Sequence, residues 1–394
     1  MYVLGTSGTG KSKLIELLIA QDMQKGHGAA VLDPHGDLVE NVLKLVPKHR
    51  VEDVIVFDPS DTSYPPSLNP FELVEEDGRM RVAAGLIEIF KLRFAHEWSE
   101  RLEHLLRYTI LALLSTQWTT VLSIKKMLLD ESYRAAVIAN VKDRVVKDFW
   151  EREFPEWYAK YYDSVILPLL SQVNDFAGSP MLHNSLGQPF NKFDFRKIMD
   201  ARKILLMKVS KRLLGEDNAA LLGSMIITRI YQAAMSRANV PFEERPDFFF
   251  YVDEFNEFAT ASFEEILSES RKYRLNLTIT NQFLDQLPAP IRKTIFGNVG
   301  NIVAFKTSTE DSSVLSGELH PRVDASDLVN LAPREFFIKM SIKGQSHEPF
   351  SGRTLSVEYP EKNFATECIE NSRAQYCLPK EQAEEIISTW ADVG

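Results

Sequence analysis

The chain has 394 residues, a formal net charge of −10, 44% hydrophobic and 25% charged residues. Roughly 100–200 residues per domain predicts about two domains, and the composition is that of a globular protein, not a disordered or fibrous one. Two cysteines, Cys368 and Cys377, exclude a disulfide framework and a zinc centre. No apolar run reaches the roughly 18 residues that span a bilayer, and no signal peptide opens the chain, so a soluble cytosolic chain is expected. The acidic balance argues against a surface broadly coated for nucleic acid, though a ring can keep an acidic exterior around a small basic or polar channel.

MYVLG predicts a short buried strand that runs into GTSGTGKS, residues Gly5 to Ser12. Ser12 to Gln24 carries Leu14, Leu17, Leu18 and Met23 at helical spacing. GAAVLD and VEDVIVF read as two further strands with polar exits at Asp33-Pro34 and Asp58-Pro59. Strand, helix, strand, strand with short exits predicts an α/β fold with a mainly parallel sheet. From about Leu73 to Lys192 long amphipathic stretches take over, and Trp98, Trp118, Trp150 and Trp157 lie among them. This block is expected to be an inserted all-α domain, dividing the chain into 1–72, 73–192 and 193–394. The sheet is expected to resume with ARKILLMKVS, then a helix over Glu216 to Arg237, then the strands DFFFYVDEF, LNLTITNQ, NIVAFKTS and EFFIKMSI. From Ser346 the tail reads as less regular, with a short helix near Glu381 to Trp390. There is no internal repeat or low-complexity segment.

GTSGTGKS matches G-x-x-x-x-G-K-[ST] at every fixed position. Its glycines let backbone N–H groups converge on phosphates, so Gly5, Thr6, Ser7, Gly8, Thr9, Gly10, Lys11, Ser12 and Lys13 form the expected ATP-binding set. Lys11 places a positive charge on the β- and γ-phosphates, and the Ser12 hydroxyl is the expected Mg²⁺ ligand. Such a loop needs a carboxylate at the end of another buried strand. DFFFYVDEF supplies Asp253, to hold Mg²⁺ through water, and Glu254, to act as general base on the attacking water. LTITNQ ends a later strand in Gln282, whose amide is placed to touch the γ-phosphate or the attacking water. Arg271 lies on the predicted helix ILSESRKYR; by itself it reads as a solvated helix charge.

Two shorter matches point elsewhere. Asp33-Pro34-His35-Gly36 fits D-x-x-G and Asn191-Lys192-Phe193-Asp194 fits N-K-x-D, the marks of a GTP-binding switch protein. Context rejects that reading. The chain between Lys11 and Asp33 is too short for a helix, a switch segment and a second strand, and the residues before Asn191 form no strand.

Together, GTSGTGKS, VLDPHGDLVENVL, VIVFDPSD with SLNPF, GEDNAALLGSMIITRI, FFFYVDEFNEFAT, SESRKYRLNLTITNQ, FGNVGNIVAFKTS, PFSGRTL and the Ser-Arg-x-x-Tyr element at Ser372 to Tyr376 resemble a known family. It is the conjugative type IV coupling proteins of the TraG/TraD type, within the FtsK- and HerA-like ring motors. The resemblance implies a RecA-like motor domain with an inserted all-α domain that recognises a relaxase–DNA substrate. It implies a homohexamer with nucleotide between subunits, pumping DNA through a central pore into a type IV secretion channel. The implied partners are DNA, a relaxase or other secreted protein, and the channel's ATPases and membrane components. It implies that Lys11, Ser12, Asp253, Glu254 and Gln282 keep the roles above, and it makes Arg271 a candidate arginine finger in a neighbouring subunit. Family members usually begin with membrane helices ahead of the phosphate loop, which hold them at the cytoplasmic face of the membrane. Here the loop begins at Gly5, so the chain is expected to be an excised portion or to come from a lineage without the anchor. The rival expectations are a HerA-like DNA-processing motor and a docking receptor in which ATP only shapes a surface for secreted proteins.

Overall fold

A computed structural model describes residues 1–72, 78–94, 97–260, 263–342 and 344–392. These fall into two compact units, one of Met1–Phe57, Phe195–Ser210 and Ile230–Ser372, the other of Asp58–Asp194, Lys211–Arg229 and Arg373–Gly394. The expected start of the helical block, Leu73, lies outside the described residues.

The first unit is built on eleven strands: β1 (Tyr2–Leu4), β2 (Gly28–Asp33), β3 (Val54–Phe57), β4 (Ile204–Lys208), β5 (Phe248–Val252), β6 (Leu275–Asn281), β7 (Ile302–Ala304), β8 (Glu335–Lys339), β9 (Ser341–Ile342), β10 (Gln345–Ser346) and β11 (Phe350–Arg353). Nine of them form one sheet in the order β11-β8-β7-β1-β6-β5-β2-β4-β3, and β9 with β10 makes a small separate hairpin. Pairing is parallel from β7 across to β3, and antiparallel where β8 meets β7 and β11 meets β8. β1 has three residues, all fully buried between β6 and β7. Strands covered on both faces read as continuous apolar runs, which is why MYVLG and GAAVLD were legible as strands. Helix α1 (Lys11–Gln24) buries Ile15, Ile19 and Met23, and α2 (Asp37–Lys44) buries Leu38, Val39, Val42 and Leu43, all in one core with Val3, Val31 and Leu206.

Two local expectations need correction. The helix predicted over ILSESRKYR divides into an α-helix, Phe263–Glu269, and a 3-10 turn, Ser270–Tyr273, which Arg274 ends at φ 55°. The tail is more regular than expected: it contains β11 and two helices, Ala365–Tyr376 and Lys380–Asp392. β11 is a polar edge strand held by backbone pairing to β8, from Phe350 opposite Ile338 to Arg353 opposite Glu335, so side-chain alternation does not announce it. Helix Ala365–Tyr376 buries little beyond Cys368 and Ser372, too few positions to set a helical period. The Ser-Arg pair there is structural: Ser372 Oγ accepts from Val56 N at 2.8 Å, and Arg373 Nε pairs with Asp61 at 2.7 Å.

The second unit is helical, from Arg79–Arg93 and Glu100–Leu114 through Pro180–Leu186, with π-helical turns at Phe149–Glu153 and Tyr162–Ile166. Ser99, Asp130 and Asp143 cap three of its helices through side-chain oxygens. Phe149 stacks on Tyr108 with centroids 4.4 Å apart, and His104 stacks on Trp157 at 5.0 Å. The buried Asn69 of SLNPF donates its amide to the carbonyls of Thr119 and Pro189, both at 2.9 Å.

Candidate nucleotide site

Parallel pairing brings the carboxyl ends of β1, β2, β5 and β6 to one edge of the sheet. Every sequence-predicted phosphate-site residue except Arg271 leaves from those ends. β1 feeds Gly5, where an added Cβ would lie 2.6 Å from Phe305 Cβ, so the loop passes too close to its neighbour for a side chain. Gly10 sits at φ 114°, a left-handed conformation that glycine adopts without strain, and it opens α1. No side chain caps that helix and its first turn holds no acid, so its N–H groups are free to face an anion.

Lys11 is buried, and its ammonium donates to the carbonyls of Gly5 at 2.5 Å and Thr6 at 3.2 Å. Burial pushes its pKa below the ordinary lysine range, opposed by the carboxylates of Glu254 and Asp253. The lysine therefore shares an electrostatic environment with both acids. Thr9 Oγ1 donates to Thr6 O at 2.7 Å and closes the loop on itself. Thr6 N donates to Lys306 O at 2.9 Å, while Ser7, Gly8 and Ser12 face solvent. The Lys13 ammonium is bound to Glu16 at 2.9 Å and to the Tyr359 hydroxyl at 2.5 Å.

Asp253 and Glu254 follow β5 and are nearly buried. The β5–β6 register, Val252 opposite Ile279, puts Thr280 beside them. Thr280 Oγ1 donates to Asp253 Oδ1 at 2.5 Å and accepts from Glu254 N at 3.1 Å, so one hydroxyl positions both acids. Burial raises the Asp253 pKa, the Thr280 hydrogen bond lowers it and the Glu254 charge raises it. Glu254 stands at φ 46°, a strained conformation for a residue with a Cβ. Gln282 Nε2 donates to Glu254 Oε1 at 2.6 Å. Arg271 is exposed on its 3-10 turn, and among the described residues its guanidinium has no hydrogen-bond or ion-pair partner.

The model of the type IV secretion-system coupling protein DNA-binding domain matches residues 1–316. The chain belongs to this coupling-protein family. Among solved structures, the unbound bacterial conjugative coupling protein TrwBdeltaN70 is 13% identical, with a TM-score of 0.65 over 92% of this chain and 86% of that one. The plasmid coupling protein TrwB in complex with ADP and Mg²⁺ is also 13% identical, with a TM-score of 0.65 over 92% and 87%. VirB4 of Thermoanaerobacter pseudethanolicus is 12% identical, with a TM-score of 0.60 over 91% and 89%. At these identities the likeness establishes the fold: a coupling-protein α/β fold with a RecA-like phosphate-loop domain and an all-α part. No curated protein matches the chain in sequence.

Within this coupling-protein fold the two switch-protein matches have structural work. Asp33 is fully buried; its carboxylate accepts from His35 N at 2.8 Å and Val39 N at 3.0 Å, which ties the turn to the start of α2. Asn191 accepts from Asn69 N at 2.6 Å and donates to Asn69 O at 3.0 Å. Thr280, Arg334 and Tyr359 escaped the sequence reading. A threonine inside a strand, an arginine in the loop before β8 and a tyrosine in the polar tail carry no periodic or motif signal.

Proposed function

We propose that this coupling protein is an ATP-hydrolysing motor that moves DNA. The observation that carries the proposal is the convergence of Lys11, Asp253, Glu254 and Gln282 at one sheet edge, beside an uncapped helix N-terminus. The backbone of Gly5 to Lys13 would hold the phosphates, with Lys11 released from its loop carbonyls onto the β- and γ-oxygens. The donor set fits a magnesium ion: the Ser12 hydroxyl and the Asp253 carboxylate would hold Mg²⁺, which supplies charge neutralisation at the phosphates. Glu254 would take a proton from the attacking water, and Gln282, whose amide donates to it, would hold its orientation and report on the γ-phosphate side. The free, exposed guanidinium of Arg271 suits insertion into a neighbour's site.

The wider assignment follows the family. The active form would be a homohexamer on the cytoplasmic face of the membrane that receives a relaxase–DNA or other protein substrate and feeds a type IV secretion channel. The helical residues within 73–192 would serve as the inserted substrate-recognising domain. No helix among the described residues is long and apolar enough to cross a membrane.

The test is ATP hydrolysis by the wild-type chain and Lys11→Ala, with and without single- and double-stranded DNA, on the isolated protein and on a forced hexamer. Hydrolysis that DNA stimulates and Lys11→Ala abolishes is expected. Hydrolysis indifferent to DNA favours a docking receptor, and undiminished turnover by Lys11→Ala refutes the phosphate-loop assignment.

A further inference from the structure

The motif PFSGRTL has no part in the chemistry above, yet the sheet carries it to the phosphate loop. β8 runs antiparallel to β7 and β11 antiparallel to β8, with Arg353 opposite Glu335. Arg334, just before β8, and Thr354, just after β11, therefore emerge at the sheet edge that bears the loop. They lie on the β7 side of β1, whereas Asp253, Glu254 and Gln282 lie on the β6 and β5 side.

Arg334 joins the two segments. Its N–H donates to Thr9 O at 2.8 Å, its carbonyl accepts from Thr354 N at 2.8 Å, and its guanidinium Nη1 donates to Ser356 Oγ at 2.9 Å. It does so at φ 72°, and its Cα would lie 3.2 Å from a Cβ added at Gly10. Five residues on from Thr354 the segment is tied down again. The Tyr359 hydroxyl donates to Glu16 Oε2 and accepts from Lys13 Nζ, both at 2.5 Å, and the ring lies 5.1 Å from the Lys13 ammonium. Glu16 and Lys13 stand on the first two turns of α1. Between these ties Leu355 is 74% exposed, the most open large apolar side chain among the described residues.

We propose that Arg334 and the segment Thr354–Tyr359 form the nucleoside side of the site, with Leu355 packing against the purine ring of a nucleoside di- or triphosphate. The inference rests on the nucleotide reading above. A phosphate loop recognises phosphates alone, and the acids claim the γ-phosphate end. The nucleoside must leave toward the other side of β1, where this anchored segment offers an apolar face. Ligand sites of this kind combine an apolar wall with a few placed polar groups. Leucine reads no base edge, so adenine and guanine should be held alike.

Calorimetric titration of the whole chain with ADP, GDP and inorganic tripolyphosphate, each with Mg²⁺, separates the two readings. Leu355→Ser should weaken ADP and GDP by about ten-fold, the scale of losing one leucine's contact, and leave tripolyphosphate within about two-fold. Leu355→Met should retain the wild-type affinities, because it keeps an apolar side chain of similar volume. Lys11→Ala should weaken all three ligands. Unchanged ADP affinity in Leu355→Ser, or an equal loss for tripolyphosphate, overturns the nucleoside subsite and leaves the phosphate loop standing. A wild-type chain that binds none of the three overturns the nucleotide reading and the subsite with it.

Discussion

Thr280→Val tests the support of the two acids. Valine keeps the shape of threonine and removes the hydroxyl that donates to Asp253 Oδ1 and accepts from Glu254 N. A hydrogen bond to a charged group contributes about 1.5–3 kcal/mol and a neutral one about 0.5–1.5 kcal/mol. Thr280 is 1% exposed, so water cannot replace either bond, and the variant should lose about 2–4 kcal/mol at pH 8. The loss should depend on pH. Burial raises the folded-state pKa of Asp253 above its ordinary value of 3.8. Between the two values the folded chain binds more protons than the unfolded one, so this group's contribution to stability falls as pH rises through that window. The Thr280 bond opposes the shift, so its removal raises the folded pKa further and enlarges the penalty at neutral pH. As pH falls through the raised folded-state pKa the carboxyl takes up its proton, and the deficit should shrink toward that of neutral hydrogen bonds. The assay is urea denaturation at pH 8 and pH 4. All the tryptophans lie in the second unit, so far-ultraviolet circular dichroism is the suitable signal. A deficit below about 0.5 kcal/mol at both pH values, or one that grows at pH 4, would refute the reasoning.

Glu254→Gln should bind nucleotide normally but hydrolyse it about 10²–10⁴-fold more slowly in a phosphate-release assay; a wild-type rate removes Glu254 as the base. Arg271→Ala should leave ADP affinity of the monomer unchanged and lower turnover of an assembled, DNA-stimulated ring by up to about 10³–10⁵-fold. Rings mixed from Arg271→Ala and Lys11→Ala subunits should regain activity where intact partners meet, and a full-rate Arg271→Ala ring excludes a finger role. Burial pushes the Cys368 thiol up to about 11 and the Cys377 thiol up to about 12. At pH 8 a thiol-disulfide reagent should thus titrate the native chain slowly and both thiols rapidly after unfolding, and fast native labelling would contradict the packing around them.

The phosphate loop with β1 before it, and β5 with the acids after it, each lie within one short stretch of sequence. GTSGTGKS names its own chemistry because the loop's backbone must turn tightly and its lysine must stand within reach of phosphate. Buried parallel strands read as near-continuous apolar runs, so β1, β2 and β5 were visible without a partner. Other features depended on residues far apart in the chain. Thr280 reaches Asp253 because β5 and β6 pair in one register; a slip by one residue would turn it to the opposite face. Arg334 meets Thr9, and Tyr359 meets Glu16, because β8 and β11 reverse direction and return the tail to the loop. Asp33 and Asn191 matched switch-protein motifs in sequence, and their hydrogen bonds show them holding a turn and a loop instead. Local patterning determined which segments could form buried strands and a phosphate loop. The tertiary structure decided which polar side chains those segments would meet, because strand order and register are set by long-range pairing that no short window of sequence contains.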